Sequence, residues 1–199
     1  LPVTLASVAL LWLSAGALLY LLQAGRITRS NIFSVAGFFI VFWTYLNVLS
    51  ERWRYGDYTY YYESAATMFR NEPLHGSYFY PPLWATLTQF LVPAGEETFF
   101  IVLWLLDAIS LIAFYFLLHR VLERYGFGPR LSAVVTTAFM LANAPLLRTL
   151  VYVQVNLHTM NLIFLSLLLC PRRTFLSALM LALAVNLKGS PAVLVLAFL

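Results

Sequence analysis

A chain of 199 residues that is 62% hydrophobic and only 10% charged, with a mean hydropathy of +0.83, lies outside the soluble globular class, where charged residues reach about a quarter of the total. The net charge of +4 does not point to nucleic acid, because the cations, all arginine except Lys188, sit scattered at the ends of apolar runs rather than in a basic stripe. Cys170 is the single cysteine, which excludes an internal disulfide and a cysteine-rich metal site.

The apolar runs, in chain order, are Leu1–Leu22, Asn31–Ser50, Thr98–Leu118, Leu131–Leu150, Asn156–Cys170 and Thr174–Leu187. A membrane-crossing helix needs roughly 20 apolar residues, so these are six candidate spans, the last two short. Their continuous apolarity excludes the period-two alternation of a β-barrel. The expected fold is therefore an all-α polytopic membrane protein. The chain opens without methionine and stops inside a further apolar run, Ala192–Leu199, so it is read as part of a longer protein. Residues 1–30 form an additional N-terminal span and loop, and 31–199 the main transmembrane domain.

Arg26 and Arg29 fill one short loop, Arg120, Arg124 and Arg130 a second, and Arg172 and Arg173 a third. The positive-inside rule places all three in the cytoplasm. The region 51–97 is then one large external loop. Within it, Leu83–Val92 lies between prolines and gives roughly 15 Å of helix, half a bilayer, so Pro82–Val92 and Thr59–Asn71 are expected as interfacial helices rather than crossings. The segments Tyr152–His158 and Lys188–Pro191 emerge on the same face.

That face collects the polar residues of interest. The insert ERWRYGDYTYYYESA, from Glu51 to Ala65, sets a lone Asp57 at a membrane surface. A carboxylate there can act as a base on a lipid-borne substrate, and the tyrosines flanking it, Tyr61 among them, can hold a sugar. The alternative for these tyrosines is the interfacial belt that Tyr, Trp and Arg form whatever the function. Lys188 stands at the external end of a helix, where it either meets an anion or snorkels. Arg148, near the outer end of its helix, is a second candidate for a phosphate or else an anchor. Gln154 and Asn156 carry amides that either read sugar hydroxyls or cap a helix. Asp107 falls mid-span, where an unpaired carboxylate is costly, and a structural hydrogen bond within the bundle is expected. No histidine stands at helical spacing to a carboxylate in this reading, and no metal-ligand spacing appears, so no metal or cofactor is expected.

The order GDYTYYYESA (Gly56–Ala65), YFYPPLWATL (Tyr78–Leu87), VQVNLHTMNL (Val153–Leu162) and ALAVNLKGSPAVLV (Ala182–Val195), behind an apolar helix, resembles the N-terminal half of glycosyltransferase family 87 over roughly Asn31 to Leu199. These are GT-C membrane enzymes similar to mannosyltransferases that use polyprenyl-phosphate mannose. The resemblance implies Asp57 as the catalytic base of the first external loop and Lys188, in Lys-Gly-Ser-Pro, as the cation facing the donor's phosphate. It implies that Gln154 and Asn156 match a Gly-Gln-x-Asn loop, with Val153 in place of the glycine, and that Tyr80 shapes the substrate pocket. The implied activity is inverting transfer of a hexose, mannose first, from a polyprenyl-phosphate carrier to a lipid or glycan acceptor outside the cytoplasm, in a bacterial plasma membrane and with partner membrane subunits possible. The competing reading is a non-catalytic GT-C-like scaffold subunit of a larger complex.

Overall fold

The computed structural model describes residues 20–28, 31–51, 57–74 and 78–192, with positions 9, 12, 13, 16 and 17 besides; of 47–51 only the backbone is described. Most of the expected span Leu1–Leu22, residues 52–56 of the tyrosine-rich insert and the run after Ala192 lie outside the described residues. All regular structure among the described residues is helical: α1 Ile32–Glu51, α2 Tyr58–Phe69, α3 Leu83–Thr88, a 3-10 helix Gln89–Ala94, α4 Glu96–Arg124, α5 Pro129–Ala142, α6 Ala144–Val151, α7 Asn156–Leu169 and α8 Thr174–Leu187.

α4 is the axis of the bundle and packs against α1, α5, α7 and the 3-10 helix. Its ends are written locally. Gly95 enters it at φ 87°, and Glu96 and Glu97 in the first turn and Arg124 in the last complement the helix dipole. It closes in a Schellman motif, with Gly126 at φ 93°, Phe127 N donating to Leu122 O and Gly126 N to Glu123 O. Pro129 then opens α5 from a first-turn position that needs no N–H.

Two expectations change here. The run Leu131–Leu150 is not one helix: α5 and α6 meet at 61°. Pro145 has no N–H to continue the ladder, and Asn143 starts a new helix by accepting from Leu146 N at 3.0 Å. Nor do six spans appear among the described residues. Counting only residues whose side chains are described, α4 alone is long and apolar enough to cross a membrane, and the bent α5–α6 pair passes only if taken as one broken span. α7 and α8, at 14 residues each, rise about 21 Å, short of a hydrocarbon core of about 30 Å. The two loop segments expected as helices are helical, as α2 and as α3 continued by the 3-10 helix that contains Pro93.

The bundle has two distinct ends. Arg124 donates to the carbonyls of Leu167 and Leu168 at 3.1 and 2.8 Å, which ties the end of α4 to the end of α7. α7 and α8 are clamped by Ser177 Oγ donating to Ser166 O at 2.8 Å. The opposite ends, the starts of α4 and α7 and the finish of α8, carry α2, α3 and the polar groups singled out above.

Candidate active site

Asp57 immediately precedes α2, the position at which an aspartate ordinarily caps the helix through its side chain. It makes no such cap. Its backbone N donates to Tyr152 O at 2.9 Å, and its Oδ2 accepts from the Tyr80 phenol at 2.8 Å. The carboxylate is therefore turned away from its own helix toward α3.

Tyr61, one turn further along α2, is fully buried. Its ring meets Tyr80 edge-on at 5.4 Å and Trp84 at 6.3 Å, and its oxygen accepts from Val155 N at 3.4 Å. Burial, and then its hydrogen bond to Tyr80, push the Tyr61 phenol well above its usual range. Burial likewise pushes Tyr80 up to about 12. Both stay protonated at neutral pH, so Tyr80 remains a donor to Asp57.

Lys188 caps α8 at its C-terminal end, where a cation is favoured by the helix dipole. Its Nζ lies 5.9 Å over the Tyr80 ring and donates to Asn156 Oδ1. Asn156 Nδ2 in turn donates to Gln154 Oε1 at 2.7 Å and to Thr149 Oγ1 at 3.2 Å. Asp57, Tyr61, Tyr80, Lys188, Asn156 and Gln154, drawn from four separate stretches of sequence, thus form one connected array. A cavity of about 310 Å3 opens beside it, with Lys188, Asn156, Thr159 and Ser190 at its polar side and Met160, Ile163 and Pro191 at its apolar side.

The loop holding Gln154 and Asn156 is shaped by Val153, which takes φ 52°. It is the left-handed residue of a Schellman motif closing α6: Val153 N donates to Leu150 O at 3.2 Å and Gln154 N to Thr149 O at 2.9 Å. Glycine suits that position because it has no Cβ to clash. Valine adopts the same turn here, buried among core residues.

Arg148 is not brought into the array. Its guanidinium lies 5.3 Å from the Tyr152 ring, on the exposed side of α6. Two pairings escaped the sequence reading. His158 does have a carboxylate partner, Asp107, at 3.2 Å, across α4 and α7. His119 and Glu123 stand at 3.7 Å at i,i+4 spacing in α4, a pattern the sequence itself displays. No cluster of three or more His, Cys, Asp or Glu placed to hold a metal occurs among the described residues.

The family described as Glycosyltransferase family 87 matches residues 78–199. No curated protein and no solved structure matches the chain. The matched segment runs from Tyr78 through α3 to the end of the chain and so contains Tyr80, Arg148, Gln154, Asn156 and Lys188, while Asp57 and Tyr61 precede it. Matched over well over half its length, the chain belongs to glycosyltransferase family 87.

Proposed function

We propose that the chain carries the N-terminal, catalytic part of an inverting glycosyltransferase that moves a hexose, mannose first, from a polyprenyl-phosphate carrier to a lipid or glycan acceptor on the extracytoplasmic face of a bacterial plasma membrane. Family membership supports glycosyl transfer in general. The observation that carries the finer reading is the array in which a carboxylate and an ammonium flank a single ring: Asp57 is bonded to the Tyr80 hydroxyl and Lys188 lies over the Tyr80 face.

The chemistry asks for those two charges in that order. The acceptor oxygen forms a bond to the anomeric carbon while the bond from that carbon to the phosphate oxygen breaks, and the acceptor's proton passes to the Asp57 carboxylate. The departing polyprenyl phosphate gains negative charge, which Lys188 stabilises. A single displacement needs one carboxylate only, since no glycosyl-enzyme forms, and a β-linked donor then gives an α-linked product. The cavity beside Lys188 suits a ligand with a charged head and an apolar tail. In this reading α4 crosses the membrane, and the position of Arg120, Arg124, Arg130, Arg172 and Arg173 at the end opposite the array supports an orientation in which that end faces the cytoplasm.

The test is transfer by the full-length protein from polyprenyl-phosphate hexoses, with Asp57→Asn beside wild type. The asparagine keeps shape but takes no proton, so kcat falls by about 10²-fold or more while donor binding persists. Normal turnover by the variant removes Asp57 as the base. A wild type inactive with every such donor leaves the scaffold subunit instead.

A further inference from the structure

Beneath the array, inside the bundle, His158 is held at both ring nitrogens. Its Nε2 lies 3.2 Å from Asp107 Oδ1 and its Nδ1 is hydrogen-bonded to Ser110 Oγ. Asp107 and Ser110 are neighbours at i,i+3 on α4, and Asn161, one turn beyond His158 on α7, donates to Ser110 O at 2.8 Å. Two directional contacts leave an imidazole no freedom to rotate or flip. Its face is stacked by Trp84 at 5.1 Å and 28°, and Trp84 in turn meets Tyr61, which packs on Tyr80. A continuous series of rings therefore runs from the buried Asp107–His158 pair to the phenol that donates to Asp57.

Stability alone does not ask for this arrangement. Asp107 is 2% exposed, and burying a carboxylate in an apolar bundle costs more than an apolar pair of the same size. What a histidine bonded at both nitrogens supplies, and an apolar side chain does not, is a fixed ring plane.

We propose that Asp107 and His158 are positioning residues for glycosyl transfer: they fix the imidazole plane on which Trp84 stacks, and through Trp84 and Tyr61 they hold Tyr80 against Asp57. The assignment rests on the glycosyl-transfer reading above. It predicts that the pair acts on the chemical step through Asp57 and leaves donor binding alone.

The experiment measures kcat and donor KM for the full-length enzyme with a polyprenyl-phosphate hexose. Asp107→Asn and His158→Gln should each lower kcat on the order of 10-fold, with donor KM within about twofold, the loss expected when a supporting partner of a site residue is removed. The double variant should be no worse than the worse single one. In the Asp57→Asn background the effect of Asp107→Asn should vanish, because the group being aimed is gone. Should the buried substitutions prevent folding, Ser110→Ala removes only the Nδ1 partner and should still lower kcat at unchanged KM. Full kcat in folded His158→Gln or Ser110→Ala, or an undiminished loss in the Asp57→Asn background, overturns the assignment. A wild type without turnover overturns the glycosyl-transfer reading itself, and this assignment with it.

Discussion

Tyr80 donates its phenol to Asp57 Oδ2 at 2.8 Å across 23 positions of sequence, and the same ring lies under the Lys188 ammonium. That hydrogen bond fixes the direction of the carboxylate, and misplacing a base costs on the order of 10-fold or more in rate. Tyr80→Phe keeps the ring beneath Lys188 and removes only the donor. It should lower kcat by about 10-fold and leave donor binding in place. A drop in binding without a change in kcat would instead make Tyr80 a wall of the donor pocket.

Lys188 is tested by charge. On the proposed role of its ammonium at the leaving phosphate, Lys188→Ala should lose on the order of 10²-fold in kcat and Lys188→Arg should keep more. Asn156→Ala removes the acceptor that fixes Nζ without removing the charge, and should fall between wild type and Lys188→Ala. Equal activity of wild type and Lys188→Ala would return the lysine to a helix-end anchor, with its stem in apolar surroundings and its head in water.

Alkaline pH supplies a separate handle on the tyrosines. Burial is the main cause that pushes Tyr78 and Tyr80 up to about 12, above the ordinary value near 10. In the folded state they hold protons that the unfolded chain releases first. Their contribution to stability is thus complete below about pH 10 and is lost as pH rises through about 12. Phenolate absorbance should show Tyr80→Phe lacking one late-titrating phenol rather than one titrating near 10.

Much of the helix pattern was legible because charge brackets apolarity. Thr174–Leu187 was expected with the bounds it has, since Arg172 and Arg173 precede a uniformly apolar run and Lys188 follows it. The break at Asn143 was equally present in the sequence, in Pro145, but continuous apolarity outweighed it. Among the described residues, span counting fell short where Asn143 and Pro145 divide the run Leu131–Leu150 into two helices, and where α7 and α8 are each too short to cross alone. The array was legible as motifs converging on one face, whereas the Tyr80 to Asp57 contact depends on how α2 packs on α3, which no periodicity encodes. The partner of Asp107 is likewise set by tertiary packing of α4 against α7, while the His119 and Glu123 spacing was open to inspection.

Val153 offers a comparison in which the smaller residue should win. Its left-handed φ costs an L-residue roughly 1–2 kcal/mol, set against about 2 kcal/mol from burying its side chain. Val153→Gly gives up the burial and regains the strain, so it should lie near wild type. Val153→Ala gives up most of the burial and keeps most of the strain, and should be less stable than the glycine variant by about 1 kcal/mol. Thermal unfolding in detergent distinguishes them, and an alanine variant more stable than the glycine one would rule out the left-handed turn.

α1 approaches α5 and α4 closely at Gly37, where an added Cβ would overlap Thr137 Oγ1 and lie 2.7 Å from the Tyr115 hydroxyl. Small residues at such crossings let membrane helices approach. Here the two hydroxyls occupy the space, Tyr115 OH donating to Ser34 O at 2.9 Å and Thr137 Oγ1 to Ala133 O at 2.8 Å. Gly37→Ala should destabilise by about 1–3 kcal/mol, the range for overpacking. Thr137→Ala in the same chain should recover part of that loss, and adding Tyr115→Phe the rest, a coupling that independent sites would not show. Because Ser34 is bonded to His119 near the arginine-bearing end of α4, folded Gly37→Ala should keep its kcat. If Gly37→Ala unfolds no earlier than wild type, α1 does not pack on α5 at this distance.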